Sequence, residues 1–258
     1  MNFSISLPSR NAPLPLANCV HTIFQLADNP DLVELVILLD TDDYLQYQDT
    51  IIDISQYNVK IVIRKPGKRL TNYYFSEPLR WTSGKIVLGL SDDIKMVTQS
   101  WDSILLSRIE EFLSDKPDRI IYLLYNDNCI YPNGACYVCM SRETFNVLDG
   151  IVPKEIQHSG ADIQLYRIFT TLADCGYNRI LDIGNNYEIQ FNNVKGPSVS
   201  NYAELRYKPH HKKSLVGSKC DLTQAEINTY VNNFKTYIEK LSCIENKSYW
   251  TLKEKNNV

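Results

Sequence analysis

Hydrophobic and polar positions form two kinds of segment in the first part of the chain. One kind is a short, nearly continuous aliphatic run, which is typical of a strand buried on both faces of a parallel sheet. The other has apolar residues three or four positions apart, which is typical of an amphipathic helix. The predicted strands are 3–9, 32–40, 59–65, 86–93, 119–127 and 134–141, and the predicted helices are 15–27, 102–113 and 161–176. Their alternation predicts an open, mostly parallel α/β sheet with helices on both faces.

The C-terminal part of the chain has a different pattern. Residues 195–221 show no periodicity and are rather basic. Two interpretations of this loop remain open: a solvated surface loop, or a lid whose cations meet the phosphates of a bound substrate. Thr223 and Glu226 then have capping-box spacing, and apolar residues on one face predict a C-terminal helix. We therefore predict a main domain at 1–194, a basic loop at 195–221, and a helical segment at 222–258 that packs on the domain.

Composition narrows the class of protein. Of the 258 residues, 44% are hydrophobic and 22% are charged, and the net charge is -3, which predicts no nucleic acid partner. No apolar run approaches the ~20 residues of a membrane helix. The opening MNFSISLPSR lacks the pattern of a signal peptide. Seven cysteines without a repeating spacing predict reduced thiols and a cytoplasmic location. Cys136 and Cys139 lie in a predicted strand, which favours buried thiols over a zinc site.

Two predicted strands run directly into clusters of carboxylates. Asp40, Asp42 and Asp43 follow one aliphatic run, and Asp92 and Asp93 follow another. Ligands bind beyond the carboxyl ends of strands in open α/β sheets, so neighbouring strands would bring both clusters to one crevice. Mg²⁺ or Mn²⁺ commonly links a few carboxylates to substrate phosphates and would neutralise their mutual repulsion. The alternative is that these residues cap helices or form turns, but two clusters at equivalent strand ends favour a function.

Other classes of phosphate-binding protein match less well. A haloacid-dehalogenase-type phosphatase would use the sequence Asp40-Thr41-Asp42, but Tyr44 stands where that motif has Thr or Val. That motif also normally follows the first strand of its domain, whereas a strand and a helix come before it here. The phosphate-binding sequences G-x-x-x-x-G-K-[ST] and G-x-G-x-x-G are both missing from the chain.

Several segments, in their order and spacing, resemble a known family. SISLPSRNAPLPLANCVHTIFQLA resembles its opening strand, turn and first helix, and VELVILLDTDD resembles its second strand. NYYFSEPLRWTSGKIVLGLSDDIKM resembles the approach to its Asp-x-Asp-type metal motif, and WDSILLSRIEEF, IIYLLYND and HSGAD continue the pattern. This family is that of the GT-A-fold glycosyltransferases of the broad family 2 type. The resemblance implies a Rossmann-like GT-A domain. It also implies transfer of a sugar from a UDP- or GDP-linked donor to the hydroxyl group of a glycan or another acceptor.

The resemblance assigns a nucleotide-binding role to several residues. These are Pro8, Ser9, Arg10, Asp40, Asp42, Arg69 and Asp92. The first three would line the nucleotide pocket, and the next two would hydrogen-bond the base or ribose. Arg69 would contact the pyrophosphate, since a guanidinium group matches phosphate oxygens.

The resemblance also implies a metal and a base. Asp93 would bind the Mn²⁺ or Mg²⁺ that joins the two phosphates, and Asp92 would lie near that metal or the ribose. Asp162 would be the general base that deprotonates the acceptor hydroxyl, which gives inversion at the anomeric carbon. Asp162 could instead cap the helix that follows it.

One departure from the family concerns the metal. Related enzymes often carry a His on a late strand that completes the metal's ligands, whereas DIGNNYEIQFNNVKG contains no His. His210, His211 or water would have to take its place. Two other functions stay open. One is a nucleotidyltransferase, although PSRNAPLPLAN lacks the glycine-rich loop typical of that class. The other is an inactive GT-A domain that binds without catalysis.

Overall fold

The computed structural model describes residues 1–66, 75–124, 137–156, 161–183, 191–193 and 222–255. Within these ranges, the backbone alone is described for 161–162, 191–193 and 242–255. The strands are β1 (Phe3–Pro8), β2 (Val33–Asp40), β3 (Val59–Arg64), β4 (Ile86–Gly89), β5 (Ile94–Met96), β6 (Tyr122–Leu124), β7 (Val138–Ser141), β8 (Ile180–Asp182) and β9 (Phe191–Asn193).

Most of these strands form one sheet, with the order β3-β2-β1-β4-β7-β6-β8 in the described part of the chain. β1 pairs in parallel with both β2 and β4, and β2 pairs in parallel with β3. β7 runs antiparallel to β4 and β6, while β6 and β8 are parallel. β5 and β9 form a separate antiparallel pair. The prediction of an open, mostly parallel sheet is confirmed.

The helices connect the strands and cover both faces of the sheet. They are α1 (Pro13–Gln25), α2 (Gln48–Ile54), α3 (Glu77–Leu79), α4 (Trp101–Phe112), α5 (Arg142–Leu148), α6 (Ala161–Asp174) and α7 (Gln224–Lys255). Two 3-10 helices, Pro30–Leu32 and Tyr44–Tyr47, lie beside β2. Among the described residues, none of these helices combines the length and apolar character needed to cross a membrane.

A hydrophobic core lies on each face of the sheet. On one face, alternate residues of β1 such as Ile5 and Leu7 pack with α1 and α4. On the other, Val87 and Tyr122 pack with α5, α6 and α7. Neighbouring residues of one strand, such as Val87 and Leu88, point into different cores because side chains alternate across a strand. The sheet is therefore buried on both sides, and its carboxyl edge is where polar turns emerge.

Each predicted strand and helix overlaps an observed element, and the differences lie at the boundaries. The predicted strand 86–93 ends early, at Gly89, and the chain turns before β5 begins. α2, α3, α5, β5, β8 and β9 were not predicted, because elements of three to seven residues are too short to display a period. The C-terminal helix is confirmed, and its described apolar side chains pack on the second core.

Candidate active site

The turns that follow β1, β2 and β4 meet at one edge of the sheet. Because β1 lies between β2 and β4 and is parallel to both, the three strands end on the same side. Two strand spacings of roughly 4.8 Å separate β2 from β4 across the sheet, which is about 10 Å. Both acid clusters lie in turns there. The amide of Asp43 donates to the carbonyl of Asp40 at 3.0 Å, and that of Ile94 donates to Ser91 at 3.3 Å.

Arg10 joins the turn after β1 to the acids after β2. Its Nη1 donates to Oδ2 of Asp40 at 2.5 Å and to Oδ1 of Asp42 at 2.9 Å. Its Nη2 donates to Oδ2 of Asp42 at 2.8 Å. The hydrogen bonds with Asp42 raise the pKa of Arg10, and Asp40 raises it further against the opposing effect of burial. Asp40 is 1% exposed, so the guanidinium supplies a charge partner for a buried carboxylate.

Asp43 fixes the backbone of the same turn. Asn11 has a positive φ of 51°, and its amide donates to Oδ2 of Asp43 at 2.9 Å. The Gln46 side chain donates to the other oxygen of Asp43 and to Oδ1 of Asn11. Burial raises the pKa of Asp43, and the Asn11 amide and the charge of Arg10 partly offset this. Asp43 therefore has a structural role in shaping the turn that presents Arg10.

Asp92 is held by the turn after β1. Ser9 donates from Oγ to Oδ2 of Asp92 at 2.5 Å, and its Oγ lies 2.9 Å from the hydroxyl of Tyr47. The amide of Ala12 donates to that hydroxyl at 3.0 Å. Asp92 and Tyr47 are 2% and 0% exposed, so this set of hydrogen bonds is buried below the crevice.

Asp93, the other acid of the pair, has a similar arrangement. Oγ of Ser91 donates to Oδ1 of Asp93 and lies 3.1 Å from the hydroxyl of Tyr137. Asp93 is half-buried, whereas Asp92 is buried. The two neighbouring carboxylates therefore present one accessible and one enclosed group at the edge of the crevice.

These side chains fit a metal site only in part. In the described part of the chain, no three His, Cys, Asp or Glu side chains are grouped as metal ligands. Mg²⁺ and Mn²⁺ sites often use one or two carboxylates and take their remaining ligands from substrate phosphates and water. Asp93 and Asp92 are hard oxygen ligands of the type those ions prefer, so the pair fits a site that the substrate completes.

Asp162 lies in the first turn of α6, and its side chain is not among those described. The described residues next to it anchor the helix. Oε1 of Gln164 accepts a hydrogen bond from the amide of Leu222 at 3.3 Å, just before α7 begins. Gln164 is 1% exposed. The first turn of α6 is therefore fixed to the start of the C-terminal helix.

Several predicted residues lie outside the described part of the chain. Arg69, His210 and His211 are among them, as is the whole basic loop apart from its flanks. The flanks themselves are placed: Asn193 pairs with Ile94, next to Asp93, and Leu222 contacts Gln164. Pro8 ends β1 and so lies at the crevice edge.

Sequence reasoning missed the tyrosines of the site. Tyr47 lies 38 positions from Ser9, and Tyr137 lies 46 positions from Ser91. Tyr137 belongs to a predicted strand and Tyr47 to a short segment without a period, so neither was singled out. The sequence shows only their serine partners, since Ser9 and Ser91 each come just after an apolar run.

The comparisons with known proteins give a fold. No protein-family model matches the sequence, and no curated protein matches it. TarS from S. aureus aligns with a TM-score of 0.57 and 14% identity, over 92% of this chain and 43% of TarS. The mannosyltransferase PcManGT from Pyrobaculum calidifontis, solved with GDP-Man and Mn²⁺, aligns with a TM-score of 0.56 and 15% identity, over 92% of this chain and 69% of that one. GalNAc-T7, solved with UDP, GalNAc and Mn²⁺, aligns with a TM-score of 0.57 and 12% identity, over 93% of this chain and 57% of that one.

These similarities define the architecture as the GT-A fold of glycosyltransferases, as the sequence resemblance implied. The chain spans less than half the length of TarS. At identities of 12–15% the comparisons concern the fold, and the activity is argued from the site.

Proposed function

We propose that this protein is a glycosyltransferase. It moves a sugar from a UDP- or GDP-linked donor to the hydroxyl group of a glycan or another acceptor, with inversion at the anomeric carbon. The observation that carries the proposal is that the turn after β1 contacts both acid clusters. Arg10 binds the acids after β2, and Ser9 binds Asp92 after β4. The two clusters thus border a single crevice at the carboxyl ends of parallel strands, where open α/β folds bind nucleotides.

The structures with the same fold support a nucleotide-sugar donor. TarS residues 1–349 were solved with UDP-GlcNAc and align over 92% of this chain, and PcManGT was solved with GDP-Man and Mn²⁺. Those ligands belong to those proteins. They support the proposal because the acidic turns of this chain lie at the edge of the sheet where its fold class binds such donors.

The residues after β1 and β2 would bind the nucleotide. Pro8 and Ser9 end the central strand, so their backbone would line the pocket. Asp40 and Asp42 would accept hydrogen bonds from the base or ribose, with Arg10 fixing both carboxylates. Arg69 would add a contact to the pyrophosphate.

The residues after β4 would act on the diphosphate. Asp93 and Asp92 would hold Mn²⁺ or Mg²⁺, and that ion would offset the negative charge that develops on the departing nucleoside diphosphate. Asp93 is the more accessible of the pair and would be the main ligand, whereas Asp92 is enclosed by Ser9.

Asp162 would act on the acceptor. A carboxylate there would remove the proton of the attacking hydroxyl as the bond to the anomeric carbon forms on the face opposite the leaving diphosphate. The first turn of α6, which carries Asp162, is held by the contact between Gln164 and Leu222, so its backbone is fixed.

The proposal is tested by thermal unfolding with a panel of nucleotides, with and without Mn²⁺. We expect UDP or GDP to raise the melting temperature, and Mn²⁺ to increase this effect. A ligand at 100 times its Kd stabilises by about 2.7 kcal/mol. In Asp93→Ala, UDP or GDP should still raise the melting temperature without metal, but Mn²⁺ should no longer increase that rise. Mass spectrometry of products from pooled sugar nucleotides would then identify the transferred sugar.

Two results would contradict the proposal in different ways. Stabilisation by nucleoside triphosphates alone would favour a nucleotidyltransferase. The second result is that UDP or GDP stabilises the protein while no product forms, either with a broad set of acceptors or without an acceptor. That result would indicate a GT-A domain that binds without catalysis.

A further inference from the structure

Each aspartate of the candidate metal pair contacts a serine, and each serine contacts a tyrosine. The first set is Asp92, Ser9 and Tyr47, and the second is Asp93, Ser91 and Tyr137. The two sets come from different elements: one begins in the 3-10 helix after β2, the other in the residue before β7. Each of the two adjacent carboxylates is thus hydrogen-bonded to a serine hydroxyl, which in turn contacts a tyrosine from a different segment of the chain.

The direction of the first set of hydrogen bonds follows from counting protons. An ionised carboxylate accepts only, and a serine hydroxyl has a single proton to donate. Since Ser9 donates to Asp92, the Tyr47 hydroxyl must donate to Ser9, and it accepts in turn from the amide of Ala12. Burial raises the pKa of Tyr47 well above its ordinary range, so its hydroxyl keeps the proton that this order requires.

The start of this series is also electrostatically favourable. Ala12 is the N-cap residue of α1, where the backbone amides of a helix carry partial positive charge. Each donor in the series polarises the next, and the negative end is a carboxylate that is 2% exposed. A buried Asp92 is therefore kept in one orientation by a one-way series of donors.

The second set has the same order. Ser91 donates to Asp93, so the Tyr137 hydroxyl donates to Ser91 across 3.1 Å. Ser91 and Tyr137 are half-buried, as is Asp93. This set lies closer to the surface, where the carboxylate would meet a diphosphate.

We propose that Tyr47 and Tyr137 are positioning residues that act through Ser9 and Ser91 to orient Asp92 and Asp93 toward a divalent cation and its diphosphate. The inference rests on the proposed function, since it concerns the same site. Hydrogen bonds to a ligating carboxylate fix its orientation, and their removal typically lowers metal affinity by 10–100-fold. The tyrosines themselves need not touch the substrate.

The test compares Tyr47→Phe and Tyr137→Phe with the wild-type protein by calorimetry of UDP or GDP binding, with and without Mn²⁺. We expect each variant to weaken the Mn²⁺-dependent part of binding by roughly 10–100-fold. We expect metal-free binding of the nucleotide to stay within about twofold. A purely structural role would change both parts together.

A double-mutant cycle tests the route of action. If Tyr47 acts through Ser9, then Ser9→Ala and the double variant should lose the same amount of Mn²⁺-dependent affinity. The matched control is Tyr230→Phe, which removes the hydroxyl of a buried tyrosine in the other core, where that hydroxyl donates to the carboxylate of Glu155. It should bind nucleotide and Mn²⁺ as the wild type does. If Tyr47→Phe does not fold, Tyr137→Phe with Ser91→Ala gives the equivalent cycle.

The outcomes separate this inference from the proposed function. Wild-type protein that binds neither UDP nor GDP would contradict both. Nucleotide binding that Mn²⁺ does not strengthen, or tyrosine variants that respond to Mn²⁺ as the wild type does, would overturn the inference and leave the transferase proposal standing. Losses that simply add in the double variant would show that Tyr47 does not act through Ser9.

Discussion

At the scale of single residues, Arg10 is the cation that pairs with the two acids at the end of β2. Its guanidinium contacts the buried Asp40 and both oxygens of the more exposed Asp42. A guanidinium offers several donors in a fixed plane, so it can serve two carboxylates that a lysine could not bind in the same geometry. This single side chain therefore keeps two acids close together without a bound ligand.

Removal of the guanidinium is expected to destabilise the fold through Asp40. Arg10→Ala should lower the free energy of unfolding by about 3 kcal/mol, because a buried carboxylate loses its cationic partner. The double variant Arg10→Ala/Asp40→Asn should recover part of that loss, since the buried charge is gone. Urea unfolding of the four proteins in the cycle measures the coupling. Independent, additive effects would show that the contact contributes little to stability.

Asp162→Asn tests the proposed base. The amide cannot take a proton from the acceptor, so transfer should fall by ~10²–10⁴-fold while the Kd for the donor stays near the wild-type value. The matched control is Asp174→Asn at the other end of α6, where the side chain is exposed. A steady-state assay of nucleotide release measures the rate of transfer, and calorimetry measures the Kd for the donor. Equal activity of the two variants would remove Asp162 from catalysis.

At the scale of elements, a buried glutamate joins the first two strands away from the crevice. Glu34 in β2 is 3% exposed and faces Ser4 in β1, its register partner. Its Oε1 accepts from Ser4 at 2.8 Å and from the amide of Ser83 at 2.7 Å. Lys60 of β3 donates to Oε2 at 3.2 Å. This network aligns the strands at one end and so sets where they finish at the other.

The network makes stability depend on pH. Burial favours the neutral form of Glu34, but the Ser83 amide, the Ser4 hydroxyl and Lys60 outweigh it and keep the pKa of Glu34 below its ordinary value. The stabilisation is therefore complete above the unfolded-state pKa and is lost as the pH falls through the lower folded-state pKa. Glu34→Gln should lower the free energy of unfolding at pH 7 by about 1–3 kcal/mol, and its difference from wild type should shrink at acidic pH.

Urea unfolding at a series of pH values measures this difference. Glu110→Gln, which removes the charge of an exposed carboxylate paired with Arg119, is the control and should stay within about 0.5 kcal/mol of wild type. A Glu34→Gln deficit that is the same in acid as at neutral pH would mean that ionisation of Glu34 does not contribute.

The elements also show how far the sequence alone can predict this fold. β1, β2 and β4 follow from their aliphatic runs, and the acids after β2 and β4 are recognised because they end two of these runs. The antiparallel direction of β7 does not, because an apolar segment indicates burial and not direction. The contacts of Tyr47 and Tyr137 could not be predicted either, since they depend on how distant segments approach each other in the folded chain. Thus the candidate acids came from the sequence, whereas the hydroxyl groups that orient them required the structure.

At the scale of the whole molecule, the C-terminal helix is part of the second core. Tyr122 of β6 stacks on Phe169 of α6 with ring centroids 5.0 Å apart, and Phe169 contacts Phe234 of α7 at 5.2 Å. These aromatic rings connect the sheet, the helix that carries Asp162, and the C-terminal helix. α7 is therefore expected to unfold with the domain and to stabilise the position of α6.

Phe234→Ala tests this coupling. Phe234 is fully buried, so its truncation should lower the free energy of unfolding by about 3–5 kcal/mol and leave a single cooperative transition. Ile52→Ala is the control, because Ile52 is 71% exposed on α2 and its loss should change stability by less than about 0.5 kcal/mol. Circular dichroism and intrinsic fluorescence followed in the same urea titration would give coincident curves if α7 belongs to the cooperative unit. A separate early loss of helix, with the remaining transition at its wild-type midpoint, would show that α7 docks on an independently stable domain. In that case its removal would leave the candidate site at the carboxyl ends of β1, β2 and β4 intact.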